Sequence, residues 1–176
     1  MNIIGIIPAR MASTRFPGKP LAKINGTPMI GHVYNRSKMA KILDEVYVAT
    51  CDREIFDYIE SLNGKAVMTA DTHERASDRS AEALEIIEKQ NDKTIDIVVM
   101  LQGDEPMLVP EMINAAIQPL LEDHEIDVVN LMATIKSEKE WKDANEVKVV
   151  VDKNSNALYF SREPIPSNQK YDGKIT

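Results

Sequence analysis

Two stretches of the chain, Met1 to Ile7 and Ile95 to Leu101, are apolar almost without interruption. Neither alternates as a strand with one wet face would, so both are expected to be strands covered on both sides. The cover has to come from helices, and the sequence between and after these runs supplies them. From Met29 to Lys41 the apolar positions follow helical spacing, and the basic residues come late, where the helix dipole favours them. Glu45 to Thr50 reads as a second strand, and Asp52 is placed to cap a helix from Arg53 to Leu62. Asn63-Gly64 closes that helix before a short strand, Lys65 to Met68. After a polar loop from Thr69, Ser77 or Asp78 is the expected cap of a helix reaching about Gln90.

The run Ile95 to Leu101 is then expected to be a central parallel strand, followed by a turn at Gly103 to Pro106 and a helix from Pro110 to about Asp123. A strand at Asp127 to Ala133, a short helix near Glu138 to Ala144, and two strands (Val147 to Asp152, Ala157 to Phe160) about the turn Lys153 to Asn156 complete the reading. Strands alternating with helices at this spacing predict an α/β fold: βαβ units, a mostly parallel sheet and three layers. With no repeat, low-complexity tract or linker, residues 1–176 read as a single domain, and Pro164 to Thr176 shows no element.

The segment after the first strand is unusual in charge. Pro8 is expected to end the strand, since proline has no N–H to donate. Arg10, Arg15 and Lys19 then share one loop with Ser13, Thr14 and Gly18. Loops leaving the carboxyl ends of buried strands are where α/β sheets place ligands. Guanidinium forks, an ammonium group and free backbone N–H groups together suit a polyphosphate. A solvated basic loop that binds nothing fits the spacing equally well. The loop matches neither the Walker A pattern nor the glycine-rich dinucleotide turn.

Composition narrows the partners. The net charge is −7, yet residues 1–43 hold seven of the 21 Lys and Arg and none of the 28 acids. A positive region on an acidic protein favours a small anion over a nucleic acid, whose backbone would meet repulsion elsewhere. Aromatics at 5% are too sparse for a base-stacking surface. One cysteine, Cys51, excludes an internal disulfide and is read as a packed side chain in a reducing compartment. No apolar stretch approaches the ~20 residues that span a bilayer, and no basic region precedes the N-terminal run, so a cytoplasmic protein without membrane contact is expected. His32 has no partner at metal-ligand spacing and reads as structural.

Asp104 follows the second apolar run, on the same sheet edge as the cationic loop. A carboxylate there can hold Mg²⁺, which prefers oxygen ligands and shares them with substrate phosphates. The commoner fate of an Asp after Gly is to cap its own turn, and spacing alone favours that reading.

The stretch Ile6 to Pro20 resembles the signature loop of sugar nucleotidyltransferases, through Pro8-Ala9-Arg10, Ser13-Thr14-Arg15 and Pro17-Gly18-Lys19-Pro20. Asn25-Gly26-Thr27-Pro28-Met29-Ile30, Val48-Ala49-Thr50, Gln102-Gly103-Asp104-Glu105-Pro106 and Ala157-Leu158-Tyr159-Phe160-Ser161-Arg162 extend the likeness along almost the whole chain. Within that superfamily the chain is most similar to the 3-deoxy-manno-octulosonate (Kdo) cytidylyltransferases. The resemblance implies a Rossmann-like, GT-A-like nucleotidyltransferase fold and transfer of CMP from CTP to an acidic sugar, a step of lipopolysaccharide biosynthesis. It implies Arg10 and Lys19 as catalytic, and Ala9, Arg10, Ser13, Arg15, Lys19, Arg79 and Gln102 as nucleotide-binding. Asp104 would bind the magnesium ion, with Glu105 a weaker candidate, and Arg162 would face the carboxylate of the sugar. The family continues well past the residue matching Arg162 and is homodimeric, so the chain is expected to lack the family's C-terminal part, including dimer contacts.

One departure stands out. In His73-Glu74-Arg75-Ala76-Ser77-Asp78-Arg79, Arg75 replaces the usual serine and Ala76 the usual glycine. Loss of the glycine would remove easy access to positive φ, and Arg75 would add charge near the nucleotide. The acidic sugar is therefore left open, with a nine-carbon or amino-substituted relative of Kdo as alternatives. Another nucleotide, or nucleotide binding without turnover, are the competing functions.

Overall fold

In the computed structural model, which describes residues 1–12 and 16–167, the opening apolar run is strand β1, Ile3–Ala9. The chain then makes one 3-10 turn, Lys19–Leu21, and a small hairpin of β2 (Lys23–Ile24) and β3 (Thr27–Pro28). Asn25 and Gly26 at its tip both have positive φ, 50° and 85°, as a two-residue Asn-Gly turn requires. Next come α1 (Met29–Ser37), β4 (Glu45–Thr50), α2 (Arg53–Ser61), β5 (Lys65–Met68), α3 (Ala76–Asn91), β6 (Ile97–Met100) and α4 (Pro110–Glu122). Strands β5, β4, β1 and β6 lie in that order in one parallel sheet.

The burial pattern explains the unbroken apolar runs. Ile3 and Ile7 of β1, with Val46 and Val48 of β4, pack with Ile30 and Val33 of α1, Ile55 and Ile59 of α2, and Ile113 and Ile117 of α4. Ile4 and Ile6, with Tyr47 and Ala49, point the other way and pack with Ala83 and Ile87 of α3. Successive strand residues serve opposite layers, so neither parity can be polar. Burying an aliphatic side chain contributes about 1.5–3 kcal/mol, and Ile6, Ile7, Val48, Ile55 and Ile59 are all fully buried. This is the expected three-layer α/β arrangement with a mostly parallel sheet.

The topology positions the site. From β1 the chain steps outward to β4 and β5, then crosses back past β1 to form β6 on its other side. The strand order reverses at β1, and the loops leaving the carboxyl ends of β1 and β6 border the resulting crevice.

Several expectations change in detail. The strand does not end at Pro8 but runs to Ala9, because Pro8 pairs with Ala49 beyond the last β6 pair, Ile6 with Met100. Its carbonyl faces Gly103 on the β6 side, where the ladder has already finished and no N–H is needed. β6 is not central: among the described residues it is an outer strand, with Met100 44% exposed. Helix α1 stops at Ser37, whose hydroxyl donates to the Val33 carbonyl at 2.8 Å, a back-bond that competes with the helix ladder. Helix α3 starts at Ala76, so neither Ser77 nor Asp78 is its cap. Ala76 opens a helix and is not among the residues of positive φ, so the missing glycine brings no strain there.

The chain divides by its contacts into two units, Met1–Val129 and Asn130–Thr176. In the smaller, α5 (Glu138–Lys142) is capped by Ser137, whose hydroxyl accepts from the Glu140 N–H. Strands β7 (Lys148–Val151) and β8 (Ala157–Ser161) form an antiparallel hairpin. At its turn Asp152 accepts from the N–H groups of Asn154 and Asn156. Lys148 is buried at 1% exposure, and its ammonium donates to the carbonyls of Asp143, Glu146 and Arg162 at 2.6–2.7 Å. The strand expected at residues 127–133 does not form; no partner strand lies beside it among the described residues, and Val128 and Met132 are 76% and 58% exposed.

Candidate active site

Three segments converge at the carboxyl end of β1. The first is the continuation of the strand itself. Ala9 is its last residue, with its methyl packed in the core, and Arg10 emerges exposed. The Met11 N–H donates to Asp52 Oδ2 at 2.7 Å, and the Gly18 N–H donates to the Met11 carbonyl at 3.1 Å. These two bonds pin both ends of the cationic loop. Gly18 has a φ of 72° and delivers the chain into the 3-10 turn that begins with Lys19. A side chain would resist that backbone conformation. Ser13 and Arg15 lie outside the described residues. Asp52 precedes α2 as expected, but its carboxylate makes no helix cap; it serves the loop instead.

The second segment follows β6. A Cβ on Gly103 would stand 2.7 Å from the Pro8 carbonyl, so only glycine lets this turn lie against the end of β1. That approach brings Asp104 to Lys19: Nζ and Oδ2 form an ion pair of 2.7 Å, with the two side chains 36% and 50% exposed. Gln102 and Glu105 flank Asp104 and are exposed, with the Glu105 N–H donating back to the Gln102 carbonyl.

The third segment is Thr69–Arg75, between β5 and α3. Arg10 Nη1 donates to the His73 carbonyl at 3.3 Å. Arg79, in the first turns of α3, is 3% exposed and donates through Nη1 to Thr69 Oγ1 and the Ala70 carbonyl. Its Nη2, like the neighbouring Ser80 hydroxyl, has no hydrogen-bond partner among the described residues. Glu82 is a residue that the motif reading passed over. Its Oε2 accepts from the Ala70 N–H at 2.8 Å and lies 2.5 Å from His73 Nε2. The Ala70 N–H above all, then His73 and the charge of Arg79, hold this carboxyl below the usual range against the opposing effect of burial. Spacing carried little signal: Glu82 is three positions from Arg79 on one helix, but its bonded partners Ala70 and His73 lie 12 and 9 positions away.

Arg162 belongs to the smaller unit. Its guanidinium donates to the Ala144 carbonyl at 2.8 Å and more weakly to that of Asn145.

Chemically, an exposed arginine, a lysine and a carboxylate at one crevice suit a phosphate chain with a hard cation. Among the described residues no three His, Cys, Asp or Glu gather into a metal cage. Asp104 offers the hard oxygen donors that Mg²⁺ can share with water and substrate phosphates.

Comparison with known proteins finds relatives along nearly the whole chain. The profile of the cytidylyltransferase family matches residues 4–176. The 3-deoxy-manno-octulosonate cytidylyltransferase of Pelobacter propionicus is 46% identical over 94% of this chain. The 8-amino-3,8-dideoxy-manno-octulosonate cytidylyltransferase of Shewanella pealeana is 48% identical, also over 94%. The chain spans 63% and 67% of the lengths of these two relatives. A solved CMP:2-keto-3-deoxy-manno-octonic acid synthetase complexed with CTP superposes with a TM-score of 0.83 at 39% identity, covering 97% of this chain and 68% of that one. Matched by the family profile from residue 4 to residue 176 and by these relatives over nearly its whole length, the chain belongs to the cytidylyltransferase family.

Proposed function

We propose that the chain binds CTP at the carboxyl ends of β1 and β6 and transfers CMP to an eight-carbon acidic sugar of the Kdo type. The observation that carries this reading is the meeting of Arg10, Lys19 and Asp104 at one crevice. In the reaction a sugar hydroxyl attacks the α-phosphorus, a new P–O bond forms, and the bond to the β-phosphate breaks to release pyrophosphate. The hydroxyl proton is lost to solvent or a base. Such a transfer needs reactants held in line and phosphate charge offset. Lys19 and Arg10 are placed to supply that charge, and Gln102 and the loop from Thr69, held by Arg79, border the nucleotide. Ser13 and Arg15 complete the triphosphate contacts in this reading. Magnesium, held by Asp104 and the phosphates, would supply further positive charge at the phosphate oxygens. The reading includes a cytoplasmic setting; among the described residues no helix is long and apolar enough to cross a membrane.

The similar identity to an 8-amino sugar relative and to Kdo relatives leaves two sugars to compare. Binding without turnover is the second reading, because the Asp104 carboxylate that would hold the metal is already paired with Lys19 at 2.7 Å. Thermal shifts with CTP, UTP, dTTP and GTP and Mg²⁺ test the nucleotide, since a ligand of the native state raises stability. CTP is expected to give the largest shift, lost in its Mg²⁺ dependence by Asp104→Asn. Pyrophosphate release with Kdo or its 8-amino analogue then separates transfer from binding. Equal shifts with all four nucleotides would remove the cytidylyltransferase reading.

A further inference from the structure

Resting on the triphosphate site just proposed, we infer that Glu82 is a positioning residue: it fixes the His73 loop so that the His73 carbonyl holds Arg10 ready for phosphate. An acid this near an anion site lowers affinity by repulsion unless its charge is absorbed. Here it is absorbed, by the Ala70 N–H, the His73 ring and the nearby Arg79. The backbone of Ala70 is held on both sides, its N–H by Glu82 and its carbonyl by Arg79. One residue earlier, the Thr69 N–H donates to the Thr50 carbonyl at 2.9 Å, tying the loop to the end of β4. With 69 and 70 fixed, Glu82 reaches forward to the ring of residue 73. The carbonyl of that same residue accepts from Arg10 at 3.3 Å. The bonded path from Glu82 to the ligand-facing cation is thus one residue long. Without it Arg10, an exposed side chain with many rotamers, would have to be ordered by the ligand at the ligand's cost.

The test is a double-mutant cycle on binding, with the whole chain, Mg²⁺, and two probes, CTP and inorganic tripolyphosphate. Glu82→Gln keeps an acceptor but removes the charge. It is expected to weaken both probes by about three- to tenfold when Arg10 is present, and by less than about twofold in the Arg10→Ala background. An equal loss in both backgrounds shows a general loosening of the loop and overturns the inference, as does no loss in either. If Glu82→Gln does not fold, judged by circular dichroism, His73→Ala takes its place in the cycle. It keeps the carbonyl that meets Arg10 and removes only the ring, and the same coupling is expected. The two readings fail separately. Coupling seen with tripolyphosphate but no preference for CTP keeps the role of Glu82 and removes the cytidine assignment. Tight CTP binding without coupling does the reverse, and no binding of either probe to the unmodified chain removes both.

Discussion

Arg10 is exposed and Lys19 about one-third exposed, so removing either takes away a cation and little packing. Arg10→Ala and Lys19→Ala are expected to weaken CTP binding by about 1.5–3 kcal/mol each, the worth of a charge-assisted hydrogen bond, while melting moves little. Titration calorimetry checks this, and unchanged affinity in both variants would remove the loop from the site. Glu82 gives a pH signature. Its folded carboxyl titrates below the ordinary value, so its contribution to stability is present above the unfolded pKa and lost as pH falls through the folded one. The stability gap between the native chain and Glu82→Gln should be widest near neutrality and close on acidification. A gap constant from neutral pH down past the usual glutamate range would contradict the hydrogen-bonding pattern. Arg10, Lys19 and Asp104 were legible as neighbours at one sheet edge, because their loops follow the two apolar runs. Asp52 and Glu82 were not, because their carboxylates act on backbone N–H groups 41 and 12 positions away, a partnership that composition and short spacing do not carry.

Among the elements, the hairpin β7–β8 depends on one unusual residue. Lys148 satisfies three carbonyls at once from a buried position. Methionine has nearly the same shape and no donor, so Lys148→Met should leave those carbonyls unpaired and cost the smaller unit about 2–4 kcal/mol. Trp141, the one tryptophan, lies in that unit and donates through Nε1 to the Ile165 carbonyl. Its fluorescence in a urea titration should therefore report the loss directly, and an unshifted midpoint would show that water satisfies the carbonyls. Most elements could be read from the chain because unbroken apolar runs marked the main strands and the 3.6 period marked the helices. The failures have physical causes. The run at Ile95 to Leu101 has the composition of an inner strand, yet position in a sheet is decided by partners and not by composition. Residues 127–133 have strand propensity, but a strand without a neighbour has no ladder to join.

At the level of the whole molecule, apolar surface remains exposed. Leu158, Tyr159 and Phe160 of β8 are 65%, 63% and 51% exposed. Consecutive exposed apolar residues on a short hairpin favour association. Sedimentation velocity at rising protein concentration should show self-association, and Leu158→Lys should weaken it by about tenfold, as expected for losing one buried leucine. A monomer at every concentration would show that these side chains are harmless. The return of the chain across β1 has a consequence in time. Asn2 is bonded to Asp96, 94 positions away, and β1 meets β6 only through contacts of that span. Strands β1, β4 and β5 can join through shorter crossovers, whereas the Gly103–Pro8 approach and the Lys19–Asp104 pair must await the arrival of β6. Long-span pairing is slow to form. During refolding, a fluorescent nucleotide should therefore find its site only after most of the helical signal has returned, which makes ligand capture a clock for the last step of assembly.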